Sequence, residues 1–101
     1  MIARDGDKLL LSGSIGFEDA LEWRDAVLAQ LDRDGLVIDL SGITEADSTA
    51  LSLLLEWRRE AQARGMGIAY ANLPAAVHSL AAVYGIEQLI PVAGAPAGHG
   101  G

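Results

Sequence analysis

Apolar residues recur along this chain in two rhythms, one of strands and one of helices. Ile2-Ala3-Arg4 and Lys8-Leu9-Leu10-Leu11-Ser12 flank Asp5-Gly6-Asp7. Asp-Gly between two such runs predicts a hairpin, because glycine accepts the positive φ of a tight turn. From about Phe17 to Asp32 the spacing becomes helical, with Phe17, Ala20, Leu21, Val27, Leu28 and Leu31 on one face. Glu18 and Asp19 suit the positive end of that helix, and Gly35 closes it. Arg24 falls inside the stripe; its stem is expected to pack while its head reaches water. Leu36-Val37-Ile38-Asp39-Leu40 is a nearly continuous apolar run, the pattern of a central strand. Ser41 to Ala46 then reads as a polar loop. A second helix is expected from Ser48 to Arg64, stopped by Gly65, and Gly67 to Ala71 reads as the next strand. Pro74 opens a third helix at the position where its missing N–H costs nothing. Val77, Leu80, Ala81 and Tyr84 form its stripe, Gly85 ends it, and Ile86 folds back onto the last turn. Leu89 to Val92 is expected as a short edge segment, because Pro91 keeps it out of a sheet centre.

A hairpin followed by alternating helices and strands predicts an α/β fold, a mixed sheet covered by helices with right-handed crossovers. One domain is expected over residues 1–92, followed by a disordered Gly/Ala/Pro-rich tail over 93–101. The length of 101 residues suits a single core, and a hydrophobic share of 50% argues against a disordered chain. Fourteen acidic residues against seven basic ones give a net charge of −7. That sign argues against a nucleic-acid reader and against a polybasic membrane-surface binder. The absence of cysteine excludes a disulfide scaffold, a thiolate zinc site and a cysteine nucleophile. Met1 to Asp5 reaches charge at once, unlike a targeting segment. The uncharged stretch from Gly65 to Ile86 is broken by Asn72, Pro74, His78 and Ser79, so no membrane insertion is expected.

Candidate chemistry is sparse. Asp5 and Asp7 read as turn residues rather than metal ligands. His78 and His99 make no zinc set, and Gly13-Ser14-Ile15-Gly16 has the wrong spacing for a nucleophile elbow. Phosphate-binding and dinucleotide-binding glycine motifs are missing as well. The reading is therefore non-enzymatic, with no cofactor and no metal. The informative segment runs from Ile38 to Leu51, a strand, a hydroxyl-bearing stretch and a helix start in succession. Asp47 and Ser48 are both strong N-cap types, and Thr44-x-x-Asp47 is a weak capping box. The pair is either only a cap or also part of a working surface. Along the second helix, Leu51, Leu54, Leu55 and Ala61 make the expected core face, with Arg58 at its edge. Leu53 and Trp57 lie round the side, and Trp23 is likewise offset on the first helix. The apolar arc is wider than one buried stripe needs. These residues either form a partner-binding patch or seal the gaps between helices.

Leu36 to Ile43, followed by Ala46-Asp47-Ser48-Thr49-Ala50-Leu51, resembles the STAS-domain signature, in which a strand ending in Asp-Leu-Ser precedes Asp-Ser/Thr-small-small-Leu at a helix start. Leu73-Pro74 and the run from Val77 to Ile86 extend the resemblance to nearly the whole chain up to Val92. The Leu80-Ala81-x-x-Tyr84-Gly85-Ile86 run is more similar to MlaB-type members than to the sporulation-type antagonists. The resemblance implies a cytoplasmic subunit of the Mla phospholipid ABC transporter, held at the inner membrane by its ATPase. It also singles out Ser48, which matches the hydroxyl residue implicated in ATPase binding. In the anti-sigma-factor antagonists that residue is phosphorylated by a partner kinase, which is the alternative reading. Ala50 departs from the glycine common at its position but keeps the small size. The expected partner surface is thus Asp47, Ser48 and Thr49, with Leu53 and Trp57 as its apolar anchor.

Overall fold

The computed structural model describes residues 1–93. Strands β1 (Ile2–Asp5) and β2 (Lys8–Ile15) form the expected hairpin, with Gly6 at a φ of +61° in the turn. A 3-10 turn, Phe17–Asp19, leads into α1 (Ala20–Leu28). Strand β3 (Leu36–Ala46) follows, then α2 (Ser48–Ala63), β4 (Ile68–Ala71) and α3 (Ala75–Tyr84). The sheet order is β1-β2-β3-β4, with β1 antiparallel to β2 and the other two pairings parallel. Each parallel crossover steps one strand in the same direction, so right-handed connections place α1 and α2 on one face. The helices form one layer there, α1 packed on α2 and α2 on α3.

Alternation along the strands follows from this two-layer arrangement. Leu9, Leu11, Leu36, Ile38, Leu40, Ile68 and Tyr70 are buried, while Leu10, Val37 and Ala69 between them are only half-buried. The Tyr70 hydroxyl donates to the Leu54 carbonyl at 2.6 Å. Burial pushes its pKa far up, against a small opposing pull from Arg58, so the phenol stays a donor.

Strand β3 is longer than its sequence pattern implies. The expected loop from Ser41 to Ala46 continues the strand and pairs with Ser12–Ile15 of β2. Its pairing jumps from Leu10↔Asp39 to Ser12↔Gly42, and again from Gly13↔Ile43 to Ser14↔Glu45. β3 therefore carries an extra residue at two bulges. The bulges break the period of two: buried positions fall at Ile38, Leu40 and Ile43, which disguises the strand as a loop. Gly42 is needed at the first bulge, since a Cβ there would come within 2.8 Å of the Leu11 carbonyl oxygen.

Helix α1 is rotated from the expected face. Trp23 and Val27 are buried, while Phe17 is 83% and Leu21 66% exposed. The 3-10 turn at Phe17–Asp19 has three residues per turn rather than 3.6, which moves Phe17 off the face of α1. Within α1 the buried face centres on Trp23 and Val27, and Leu21, about 160° round from Trp23, points outward. Arg24 is then no defect in a stripe, since it lies beside the buried face. The end of α1 is held by cations: Arg4 donates to the Gln30 carbonyl, and Arg64 to those of Leu28 and Leu31.

Pro74 precedes α3 with φ −59°, and Gly85 closes it at φ +67°. The Ile86 amide reaches back to the Ala81 carbonyl at 3.0 Å, as the Gly85-Ile86 sequence predicts. Tyr84 departs from the predicted stripe and is 58% exposed. A second 3-10 turn, Glu87–Leu89, then brings Val92 to a single parallel bridge with Tyr70. Ala93, the first residue of the expected tail, still donates to the Tyr70 carbonyl at 2.7 Å. The rest of that expected tail lies outside the described residues.

Candidate functional site

The start of α2 is built by the end of β3. Asp47 is extended (φ −109°, ψ −168°) and its Oδ1 accepts the Thr49 amide at 2.8 Å. Its carbonyl accepts the Ala50 amide at 3.0 Å. Asp47 is therefore the N-cap, and Ser48 takes the first helical position. Asp47 and Ser48 are exposed and Thr49 is half-buried. Among the described residues no hydrogen bond engages the Ser48 hydroxyl, which stands at the positive end of a 16-residue helix.

The apolar half of the predicted surface is not there. Trp57 is completely buried and Leu53 is 6% exposed. The Trp57 indole N–H donates to the Arg24 carbonyl at 3.3 Å, so the ring fills the seam between α1 and α2. Trp23 instead closes α1 onto the sheet, donating to the Ser14 carbonyl of β2 at 2.9 Å. Both rings and Leu53 are taken up by the packing rather than presented to a partner. The deepest stripe of α2 runs through Ala50, Leu54, Trp57 and Ala61, which places Trp57 at its centre rather than at its side.

Other apolar groups border the α2 start. A shallow depression lies between α2 and the end of α3, with Ser48, Ser52 and Leu55 on one side and Tyr84 and Ile86 on the other. On the opposite flank, a trough runs between Phe17, Glu18 and Asp19 and the strand end Glu45, Ala46 and Asp47. The Asp47-Ser48 pair thus stands on a ridge between two concavities, each with an exposed aromatic ring. Sequence reasoning assigned Phe17 and Tyr84 to the core. The signal for Tyr84 was its place in the last turn before Gly85, where a side chain passes the edge of the layer. For Phe17 it was the adjoining acidic pair.

Asp39, the acid of the Asp-Leu-Ser signature, has a positioning role. It is buried, its Oδ1 accepts the Ser41 amide at 2.8 Å and its Oδ2 the Asn72 side-chain amide at 3.1 Å. Burial would push its pKa up, but the bonds from Ser41 and Asn72, with the Lys8 charge, outweigh that and hold the carboxyl below the usual aspartate range. Asn72 sits at φ +54°, where the chain leaves β4 for α3. The Asp39–Asn72 bond ties that corner to the sheet, and with it the helix that carries Tyr84.

Comparison with known proteins gives this geometry a family. The family model described as Mlab, STAS domain, matches residues 2–91. The chain belongs to that STAS family. Among solved structures, a chain of the Acinetobacter MlaFEDB complex in an ATP-bound conformation is similar at a TM-score of 0.77 and 22% identity, over 91% of this chain and 99% of that one. The anti-sigma factor antagonist SpoIIAA in its unphosphorylated form is similar at 0.69 and 14%, over 92% and 86%. A chain of the stressosome, a signal integration and transduction hub, is similar at 0.62 and 20%, over 91% and 85%. At these identities the likeness is one of fold, shared by transporter and signalling proteins alike. No curated protein matches the chain.

Proposed function

We propose that this chain is a non-catalytic STAS subunit that docks on the ATPase of an Mla-type phospholipid ABC transporter and supports its assembly or activity. The observation that carries the reading is the unengaged, exposed hydroxyl of Ser48 at the α2 start. Asp47 and Thr49 belong to the same surface, and Tyr84 replaces Trp57 as its apolar anchor. The Mlab family match and the likeness to a chain of the MlaFEDB complex, covered over 99% of its length, favour this class of partner. Hydroxyl and amide groups give such an interface its direction, and a half-exposed ring beside them gives it apolar area. No described helix is long and apolar enough to cross a membrane, so association with the inner membrane would run through the ATPase, from the cytoplasmic side. Co-purification with the ATPase tests the proposal. Ser48→Arg should abolish capture while leaving the melting temperature nearly unchanged; wild-type capture by that variant sinks the docking site.

The runner-up, an anti-sigma-factor antagonist switched by phosphorylation of Ser48, is favoured by the same free hydroxyl and by the likeness to SpoIIAA. A phosphate there would add a charge of about −2 beside Asp47 without unfolding the helix. Mass spectrometry after incubation with a cognate anti-sigma kinase separates the two. A single label at Ser48 supports the switch, and an unlabelled chain that still captures the ATPase supports the subunit.

A further inference from the structure

The trough on the Phe17 side of the ridge has a chemistry of its own. Phe17 and Leu21, one turn apart, are 83% and 66% exposed and belong to no core cluster. Carboxylates line the trough around Phe17: Glu18 and Asp19 on its own side and Glu45 and Asp47 across from it, while Leu21 lies one turn on, outside the lining. The trough continues past Ser14 and Asp19 into a second concavity that reaches Glu22 and Met1. Five of the seven basic residues are held in ion pairs elsewhere. The ion pairs among the described residues join Arg4, Arg24, Arg33, Arg59 and Arg64 to Asp7, Asp25, Asp32, Glu56 and Glu60. None involves Glu18, Asp19, Glu22, Glu45 or Asp47. Asp19 and Asp47 accept amide hydrogen bonds from Gly16 and Thr49 but pair with no cation. An exposed ring faced by four carboxylates without an ion-pair partner complements one kind of occupant. We infer that this trough receives a cationic amphipathic segment of a partner protein, an apolar side chain against Phe17 and its Lys or Arg side chains against the carboxylates. A second copy of this chain would set acid against acid, and anionic lipid or nucleic acid has the wrong sign.

Asp47 closes the trough and is followed directly by Ser48, so the inferred contact is continuous with the docking site proposed above. The inference rests on that reading only for which protein carries the segment. Its test does not. The full chain, isotopically labelled, is titrated with an amphipathic Leu/Lys helix of about 18 residues and with its Leu/Glu counterpart. The Leu/Lys helix should shift amide signals at 17–19 and 45–47, and bind about tenfold more weakly when salt is raised from about 50 to about 300 mM. Phe17→Ser should weaken it a further tenfold or so, while Glu18→Gln and Glu45→Gln together should flatten the salt dependence. Shifts mapping elsewhere, equal binding of the Leu/Glu helix, or indifference to Phe17→Ser overturns the inference. The same variants in the ATPase capture keep the two claims apart. Loss with Ser48→Arg but not with the trough variants leaves the docking reading and removes its extension to this trough. Loss with the trough variants but not with Ser48→Arg does the reverse.

Discussion

Helix α2 holds two regions that answer to different demands. Between Ala50 and Ala61 its inward face is fully packed, with the Trp57 ring closed into the seam against α1 and the Leu54 carbonyl taken by Tyr70. Three residues earlier, at Asp47 and Ser48, the same helix has an exposed start whose side chains make one capping bond. Residues that look alike in a helical pattern therefore carry opposite burdens. The middle of the helix sustains the fold, while its exposed start at Asp47 and Ser48 carries little of the packing. A change at one should leave the other nearly untouched.

The largest effect expected is at Trp57. Trp57→Ala should cost about 3–5 kcal/mol of unfolding free energy by emptying the seam, measured by chemical denaturation. A loss below 1 kcal/mol would erase the contrast. Next is Asp39, the latch between the sheet and the α3 corner. Asp39→Asn should cost about 2 kcal/mol near neutral pH, because it weakens hydrogen bonds to a buried charged acceptor. Its carboxyl is held below the unfolded value of about 3.9, so its stabilisation is complete above that pH and is lost as pH falls through the lower folded value. Denaturation curves between neutral pH and about pH 3 should show wild-type stability falling on the acid side, and the asparagine variant falling less. A smaller loss, about 1 kcal/mol, is expected for Asp47→Ala, which removes the cap that Thr49 uses. The smallest is Ser48→Glu, within about 0.5 kcal/mol of wild type in stability but with ATPase capture lost. A glutamate that unfolds the domain, or that docks normally, blurs the division between the two regions.

Much of this arrangement was legible in the residues. Asp-Gly marked the hairpin, Pro74 and Gly85 bracketed α3, and Asp47-Ser48 marked the start of α2 because side-chain oxygens beside free amides have few other uses. What stayed hidden had two physical causes. Periodicity reports that apolar residues share a face but not whether the face is covered. Phe17 and Leu21 therefore entered the expected core, while Trp57 was assigned to the partner surface and Trp23 was left between a surface and a seam. A 3-10 turn before α1 and two bulges in β3 also altered the local period, which moved Phe17 off the helix face and concealed half a strand. The free Ser48 hydroxyl is consistent with the family resemblance. Its flanking rings, Phe17 and Tyr84, emerged only from the packing.

The pairing of β3 with β4 stops at Asp39 and Ala71, while β3 itself runs on to Ala46 with β2 alone beside it. That overhang is about 20 Å long at the usual rise of a strand. It works as a jetty, carrying the α2 mouth clear of the β4 end of the sheet, with the bulges as its joints. A residue gained or lost at either joint would re-aim the mouth relative to the rest of the sheet.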